Sequence, residues 1–198
     1  MNYDKHLVDA LGSVIEKRRS IKPHSFTGEE IPTKIIEAIL ASTNWAPSHG
    51  KTEPWRFKVY CGKGKALLLE KFKNIYTEIT PKEKIRPEKL EKYEVNCHKS
   101  SHIVVISMKR QEIEKIPEIE EIEAVACAVQ NLHLTASAYG VAGYWSSGAM
   151  TYSDYAHETF DLGEKDRLLG FFYLGTPSIE WPEGKRLSDW QSKVEWIY

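Results

Sequence analysis

Residues 118–139, EIEEIEAVACAVQNLHLTASAY, constrain this chain more than any other stretch. Acidic residues crowd the first turns of a helical pattern, where the helix dipole favours them, and Gly140 follows as a terminator. The middle is apolar nearly all round, which predicts a helix at the centre of the core rather than on a surface. Two short runs with strand character flank it. HIVVISM (102–108) is the continuous apolar type expected of a buried strand, and VAGYWSSGA (141–149) reads as a strand entering a Gly/Ser turn.

The remaining chain fits round this centre. Leu7, Val8, Leu11, Val14 and Ile15 recur at helical spacing, so an amphipathic helix is expected over about 4–18. It runs into the basic cluster KRRSIK (17–22) before Pro23 interrupts. Pro32 opens a second helix over about 32–43, with Ile35, Ile36, Ile39 and Leu40 on one face. WRFKVYC (55–61) reads as a strand, YSDYAHETF (152–160) as a short helix, and RLLGFFYLGTP (167–177) as a strand ending in a turn. Residues 63–99 carry mixed charge punctuated by Pro81 and Pro87, and predict two or three helices with solvated faces and no evident chemistry. The tail, 178–198, holds Trp181, Trp190 and Trp196 without periodicity, so it is expected to lie along something, a partner subunit included. The order α-α-β-α…β-α-β-α-β predicts one mixed α/β or α+β domain over 1–198.

Composition narrows the function. A net charge of −1, with glutamates interleaved among the lysines of the middle region, argues against a nucleic-acid partner. Cys61, Cys97 and Cys127 are odd in number and widely spaced, which suits reduced thiols rather than a disulfide framework. The N-terminal residues are charged throughout, and no stretch reaches the roughly 18–20 apolar residues of a membrane span. A cytoplasmic protein without a membrane partner is the expectation. G-x-G-x-x-G, Walker-type, H-E-x-x-H and G-x-S-x-G signatures are absent. Cys97, His98 and His102 form the one metal-like grouping, and no second cluster supplies a fourth ligand, so no metal site is expected.

Two stretches carry chemistry. In KRRSIK, guanidinium, ammonium and hydroxyl donors from Arg18, Arg19, Ser20 and Lys22 fall within a few residues, a donor set that suits a phosphate dianion. A solvated helix end, with cations complementing the dipole, is the plainer alternative. In NWAPSHGKTEPWRF (44–57), two tryptophans and a histidine crowd a Pro/Gly turn, an expensive composition for a mere corner. Trp55, at a strand start, reads as a core anchor, and the same plain reading is open to Trp45.

RRSIK after an N-terminal helix, APSHG-x3-PWRF after the second helix, WSSG at 145–148 and LGTP at 174–177 occur in an order and spacing that resemble the nitroreductase superfamily of FMN-dependent oxidoreductases. The similarity runs over about residues 10–180 and is to its small single-domain branch. The resemblance implies an α+β fold, a three-layer α/β/α domain with a central mixed or antiparallel sheet, in an intertwined homodimer whose FMN sites draw residues from both subunits. By the same resemblance, Arg18, Arg19 and Ser20 would hold the FMN phosphate and ribityl chain, with Lys22 a further basic residue. Trp45 and His49 would reach the flavin of the other subunit, Trp145, Ser146 and Ser147 would lie near its ring, and Lys185 or Arg186 would supply a late phosphate contact. The implied activity is ping-pong reduction of nitroaromatics, quinones or similar electron-poor acceptors by NADH or NADPH, with hydride chemistry on the flavin and no protein residue singled out as catalytic. Other flavin reactions on the same fold (dehalogenation or flavin fragmentation) and a flavin-binding protein without turnover stand as alternatives.

Overall fold

A computed structural model describes residues 2–198. The long helix, α5 (Glu118–Ala138), does lie against the sheet, but on one stripe: Ala124, Val125, Ala128, Val129, Leu132, His133 and Ala136 are buried, while Ile119, Glu123 and Cys127 on the opposite side are exposed. The small alanines let its axis approach the strands closely. Beside it runs α2 (Thr33–Thr43), which buries Ile36 and Ile39, and together they cover one face of the sheet.

The sheet has four strands, β1 (Trp55–Cys61), β2 (His102–Met108), β3 (Ala142–Ser146) and β4 (Arg167–Gly175), in the order β1-β2-β4-β3 with every pairing antiparallel. Every residue of β2 is buried, as its unbroken apolar run requires of a central strand covered on both faces. A bulge between Ile106 and Ser107 falls where β4 carries Gly170 at φ +121°. Both features bend the ladder. A Cβ on Gly170 would meet the carbonyl oxygen of Ser146 at 2.4 Å, so only glycine lets β3 pass this close.

The other face is covered by α3 (Gly64–Ile79), α4 (Pro87–Lys99) and α6 (Asp154–Thr159). The helices expected within residues 63–99 are present, and each keeps a solvated face; the opposite face of α3 buries Leu68, Phe72 and Ile75 completely, and Phe72 packs edge-on against Phe171 of β4 at 4.7 Å between centroids. Its lysines hide the role: the side chain of Lys71 reaches the carbonyl of Thr159 at the end of α6, and that of Lys73 pairs with Glu94 on α4, so the charged groups join helices rather than only facing water. The layers are therefore α2/α5, sheet, and α3/α4/α6, an α+β three-layer domain.

Helix α1 (Lys5–Lys17) is the exception to good burial. Asp4 caps its N-terminus by accepting from the Leu7 N–H, but no residue of α1 is buried, and Leu7, Val8, Leu11 and Ile15 all remain exposed. An amphipathic helix with an uncovered apolar stripe carries most of its hydrophobic free energy unrealised.

Candidate functional site

The basic cluster sits outside the helix. Helix α1 ends at Lys17; Arg18 is already extended (φ −57°, ψ 127°), and Ser20 forms a parallel bridge with Gly143 of β3, sealed by the Ile21 N–H donating to the Gly143 carbonyl at 3.1 Å. Side chains of extended backbone alternate. Ile21 and Pro23 turn inward and are buried, so Ser20 and Lys22 are left exposed, and Arg18 shares their parity.

Arg19 faces the other way. Its Nε donates to the Pro182 carbonyl at 3.0 Å and its Nη1 to the Glu16 and Arg18 carbonyls, while Gly184 packs so tightly on the guanidinium that a Cβ there would lie 2.0 Å from Nη2. Trp181 completes the strap by donating its indole N–H to the Lys17 carbonyl at 2.6 Å. Arg19 thus pins the tail where the sequence suggested an anion contact. The strap has a consequence, because it carries Arg186 to Arg18. Partial burial first, and then the neighbouring Arg186 and Arg19, hold the Arg18 pKa below the ordinary guanidinium range. Among the described residues, no carboxylate lies within ion-pair distance of Arg18, Arg19, Lys22 or Arg186. Clustered guanidiniums without a counter-charge, beside a free serine hydroxyl, are the donor set of a phosphate site.

His133 of α5 locks this segment to the sheet, and nothing in the sequence singled it out. Its Nε2–H donates to the Arg19 carbonyl at 2.9 Å, and its ring meets Phe172 edge-on at 5.0 Å. Burial pushes the imidazole pKa down to about 4, overcoming the opposing pull of the Arg19 carbonyl, and the nearby Arg18 lowers it further. Gly143 makes the fit possible: a Cβ there would stand 2.7 Å from Phe172 and 2.9 Å from His133.

The same strand leads to the second expected group. Trp145 ends its indole N–H on the Leu169 carbonyl at 3.0 Å, an arrangement that the missing Cβ of Gly170 permits. Ser146 closes β3, and Ser147 begins the turn beyond it. Both serines line a cavity of about 300 Å³ that continues to α3 and α4, where Arg86, Lys89, Lys92 and Tyr93 contribute to its wall. Hence β3 carries, along one edge, the arginine–serine segment at its start and the Trp-Ser-Ser turn at its end.

Trp45 and His49 are not part of this assembly within one chain. Trp45 is 87% exposed, in an apolar groove with Leu7, Leu11, Val14 and Leu134. His49 stands in the turn His49–Lys51 and pairs through Nδ1 with Glu120 near the start of α5. Glu120 and His133 are separated along α5 by a rise of about 20 Å, so His49 lies far from the Arg18 end. Cys97 and His98 sit on α4, with the Cys97 thiol buried and pushed up to about 12, while His102 opens β2; they converge on no common point, and no group able to hold a metal ion occurs among the described residues. Nor is any described helix long and apolar enough to cross a membrane.

Comparison with known proteins bears on the family and the fold. The profile of the Nitroreductase family matches residues 15–176. The Escherichia coli (strain K12) protein named "Putative NAD(P)H nitroreductase YdjA" is 30% identical over 174 residues, covering 87% of this chain and 91% of its own. Among solved structures, a nitroreductase-like family protein from Bacillus cereus superposes with a TM-score of 0.80 at 25% identity, over 100% of this chain and 98% of its own. An FMN complex from Desulfovibrio desulfuricans shares the fold with a TM-score of 0.70 at 18% identity, over 100% and 99% of the two chains. With the arginine–serine segment bridged to β3, the Trp-Ser-Ser turn at the strand's far end and a family match spanning most of its length, the chain belongs to the nitroreductase family.

Proposed function

We propose that the protein is an FMN-dependent oxidoreductase that uses NADH or NADPH to reduce nitroaromatic, quinone or similarly electron-poor acceptors. The observation that carries this reading is the Arg18–Ser20 segment, without an ion-paired carboxylate among the described residues and bridged at Ser20 to the strand that bears Trp145, Ser146 and Ser147. Such a donor set fits the terminal phosphate of FMN, and the D. desulfuricans relative of the same fold was solved with FMN.

When bound, FMN would supply the two-electron chemistry linking a nicotinamide reductant to the acceptor in a ping-pong sequence. The chain's own work is binding and orientation. Arg18, Arg186 and Lys22 would hold the phosphate dianion, and the Ser20 hydroxyl would add a neutral donor. Arg19 and Trp181 act indirectly, by fastening the tail that brings Arg186 into place. Trp145, Ser146 and Ser147 would bound the ring side, where the hydroxyls and N–H groups of the turn are available as donors to a developing negative charge.

A homodimer is the second part of the proposal. The uncovered apolar stripe of α1, the exposed Trp45 and the exposed tail beyond Arg186 (Leu187, Trp190, Trp196 and Ile197) together supply the surface a second copy would cover. Dimerisation would also explain how Trp45 and His49, remote from the Arg18 site in their own chain, serve the site of a partner.

The test is a visible spectrum of the purified protein before and after anaerobic NADH or NADPH. A flavin spectrum that bleaches supports the reading. A flavin spectrum that persists favours a flavin-binding protein without nicotinamide-driven turnover, and a protein that cannot take up FMN refutes the assignment.

A further inference from the structure

The cavity between the β3 turn and helix α4 has a chemical character of its own. Arg86, Lys89 and Lys92 contribute to its wall, and no aspartate or glutamate does. Arg86, Lys89 and Tyr93 follow at three- and four-residue spacing, so one face of α4 and its N-cap point towards the same space. The carboxylates of the region are engaged or turned elsewhere: Glu94 pairs with Lys73, and Glu88 and Glu91 are exposed without contributing to the wall. None of the three cations has an ion-pair partner among the described residues. Lys89 instead holds its ammonium 5.6 Å from the centroid of the Tyr93 ring, a cation–π contact that leaves its donors free.

The remaining wall is aromatic and neutral. Tyr76, Tyr93 and the almost fully covered Phe171 line it, and burial pushes the Tyr93 phenol up to about 12, so it stays a neutral hydrogen-bond donor. A volume of about 300 Å³ lies at the small end of ligand sites, suited to a molecule of one or two rings and too small for a whole dinucleotide. Ser146 and Ser147 belong to this wall and also to the turn assigned to the flavin ring, so a molecule in the cavity lies next to the redox centre.

We propose that this cavity is the acceptor site and that it selects an anionic aromatic acceptor, its ring among Tyr76, Tyr93 and Phe171 and its carboxylate or equivalent anion facing Arg86, Lys89 and Lys92. The inference rests on the flavin reading for the electrons delivered there, but the preference for an anion rests on the cavity alone. The reductant is the competing claimant to these cations, because NADH and NADPH both carry an anionic pyrophosphate and NADPH a 2′-phosphate besides; following the KM for the reductant alongside that for the acceptor separates the two.

The experiment uses the FMN-loaded protein with NADH as reductant and compares 4-nitrobenzoate with its neutral counterpart 4-nitrobenzamide, in the wild type and in Lys89→Gln/Lys92→Gln. The wild type, with three solvent-screened cations, is expected to favour the carboxylate about tenfold or more in kcat/KM, and the double variant should lose about tenfold of that preference, keeping at most the share of Arg86; high salt should act in the same direction. Calorimetric titration of 4-nitrobenzoate into the oxidised protein should show the same loss of affinity. Equal efficiency on both acceptors, or a preference undiminished in the double variant, overturns the proposal. So does a variant that loses FMN, or whose KM for NADH rises as much as its KM for 4-nitrobenzoate, since the cations would then serve the flavin or the reductant. If the protein takes up no FMN, the oxidoreductase reading fails by itself; calorimetry on the flavin-free chain still decides whether the cavity binds 4-nitrobenzoate through these lysines.

Discussion

His133 should make the fold acid-sensitive in a window that a single substitution can isolate. The side chain is 6% exposed, and burial depresses its pKa to about 4. In the unfolded chain an imidazole titrates near 6.5. Between these values the unfolded state binds the extra proton, so stability falls as the pH falls. The contribution is complete above about 6.5 and gone below about 4. Its full size is about 3 kcal/mol, of which about 2 kcal/mol is already lost at pH 5. Urea unfolding followed by tryptophan fluorescence, at pH 7 and pH 5 and constant ionic strength, measures the loss. His133→Gln is the control, because its amide can still donate to the Arg19 carbonyl but does not titrate. The wild type is expected to lose about 2 kcal/mol more than the variant over this interval, with the other histidines cancelling in the difference. Parallel losses in the two proteins would show that His133 is not held neutral, and the proposed clamp between α5 and the Arg18–Ser20 segment would fail with it.

Three further outcomes follow from the same geometry. Arg18→Ala/Ser20→Ala should strip FMN while the circular dichroism spectrum is retained; full flavin occupancy in that variant sinks the phosphate assignment. Gly143→Ala should destabilise by about 2 kcal/mol, because the added methyl meets Phe172 and His133 inside contact distance, and the melting temperature should fall by about 4–8 °C; an unchanged melting temperature would mean the ring pair relaxes freely. Leu11→Asp, on the uncovered stripe of α1, should shift the protein to a monomer in light scattering, and a stable dimer in that variant would place the interface elsewhere.

Periodicity and punctuation made most of the architecture legible. Pro32 and Gly140 mark a helix start and a helix stop in the structure, and HIVVISM proved to be the fully buried β2. What stayed hidden has physical reasons. Helix α3 reads as a surface element because its lysines are long enough to leave the core and bind carbonyls and carboxylates on neighbouring elements, while Leu68, Phe72 and Ile75 occupy the inward stripe. His133 looks like one more residue of an apolar helix, since its significance depends on a backbone carbonyl 114 positions away in the chain. Arg86, Lys89 and Tyr93 do show helical spacing, a signal masked by the glutamates interleaved on the other faces of α4. Arg18 and Arg19 are indistinguishable by type; only the extended backbone after Lys17 separates their directions.

That separation bears on how the site gains affinity. One arginine satisfies its donors on the main chain and fixes the tail, so its neighbour Arg18 is left facing like charge, with Arg186 of the strap near enough to be felt. An array of this kind resists assembly in the absence of an anion, because each guanidinium disfavours the charge of its neighbour. A bound dianion reverses the sign of that interaction for Arg18 and Arg186 at once. Ligand binding then adds to stability by mass action, and it should do so in a salt-dependent way. The tail, held by the two main-chain hydrogen bonds of Arg19 Nε and Trp181, is the element whose docking responds most directly. Limited proteolysis between Gly184 and Tyr198 is accordingly expected to slow when FMN is added. Cleavage at an unchanged rate would show that Arg186 reaches Arg18 without taking part in holding the phosphate.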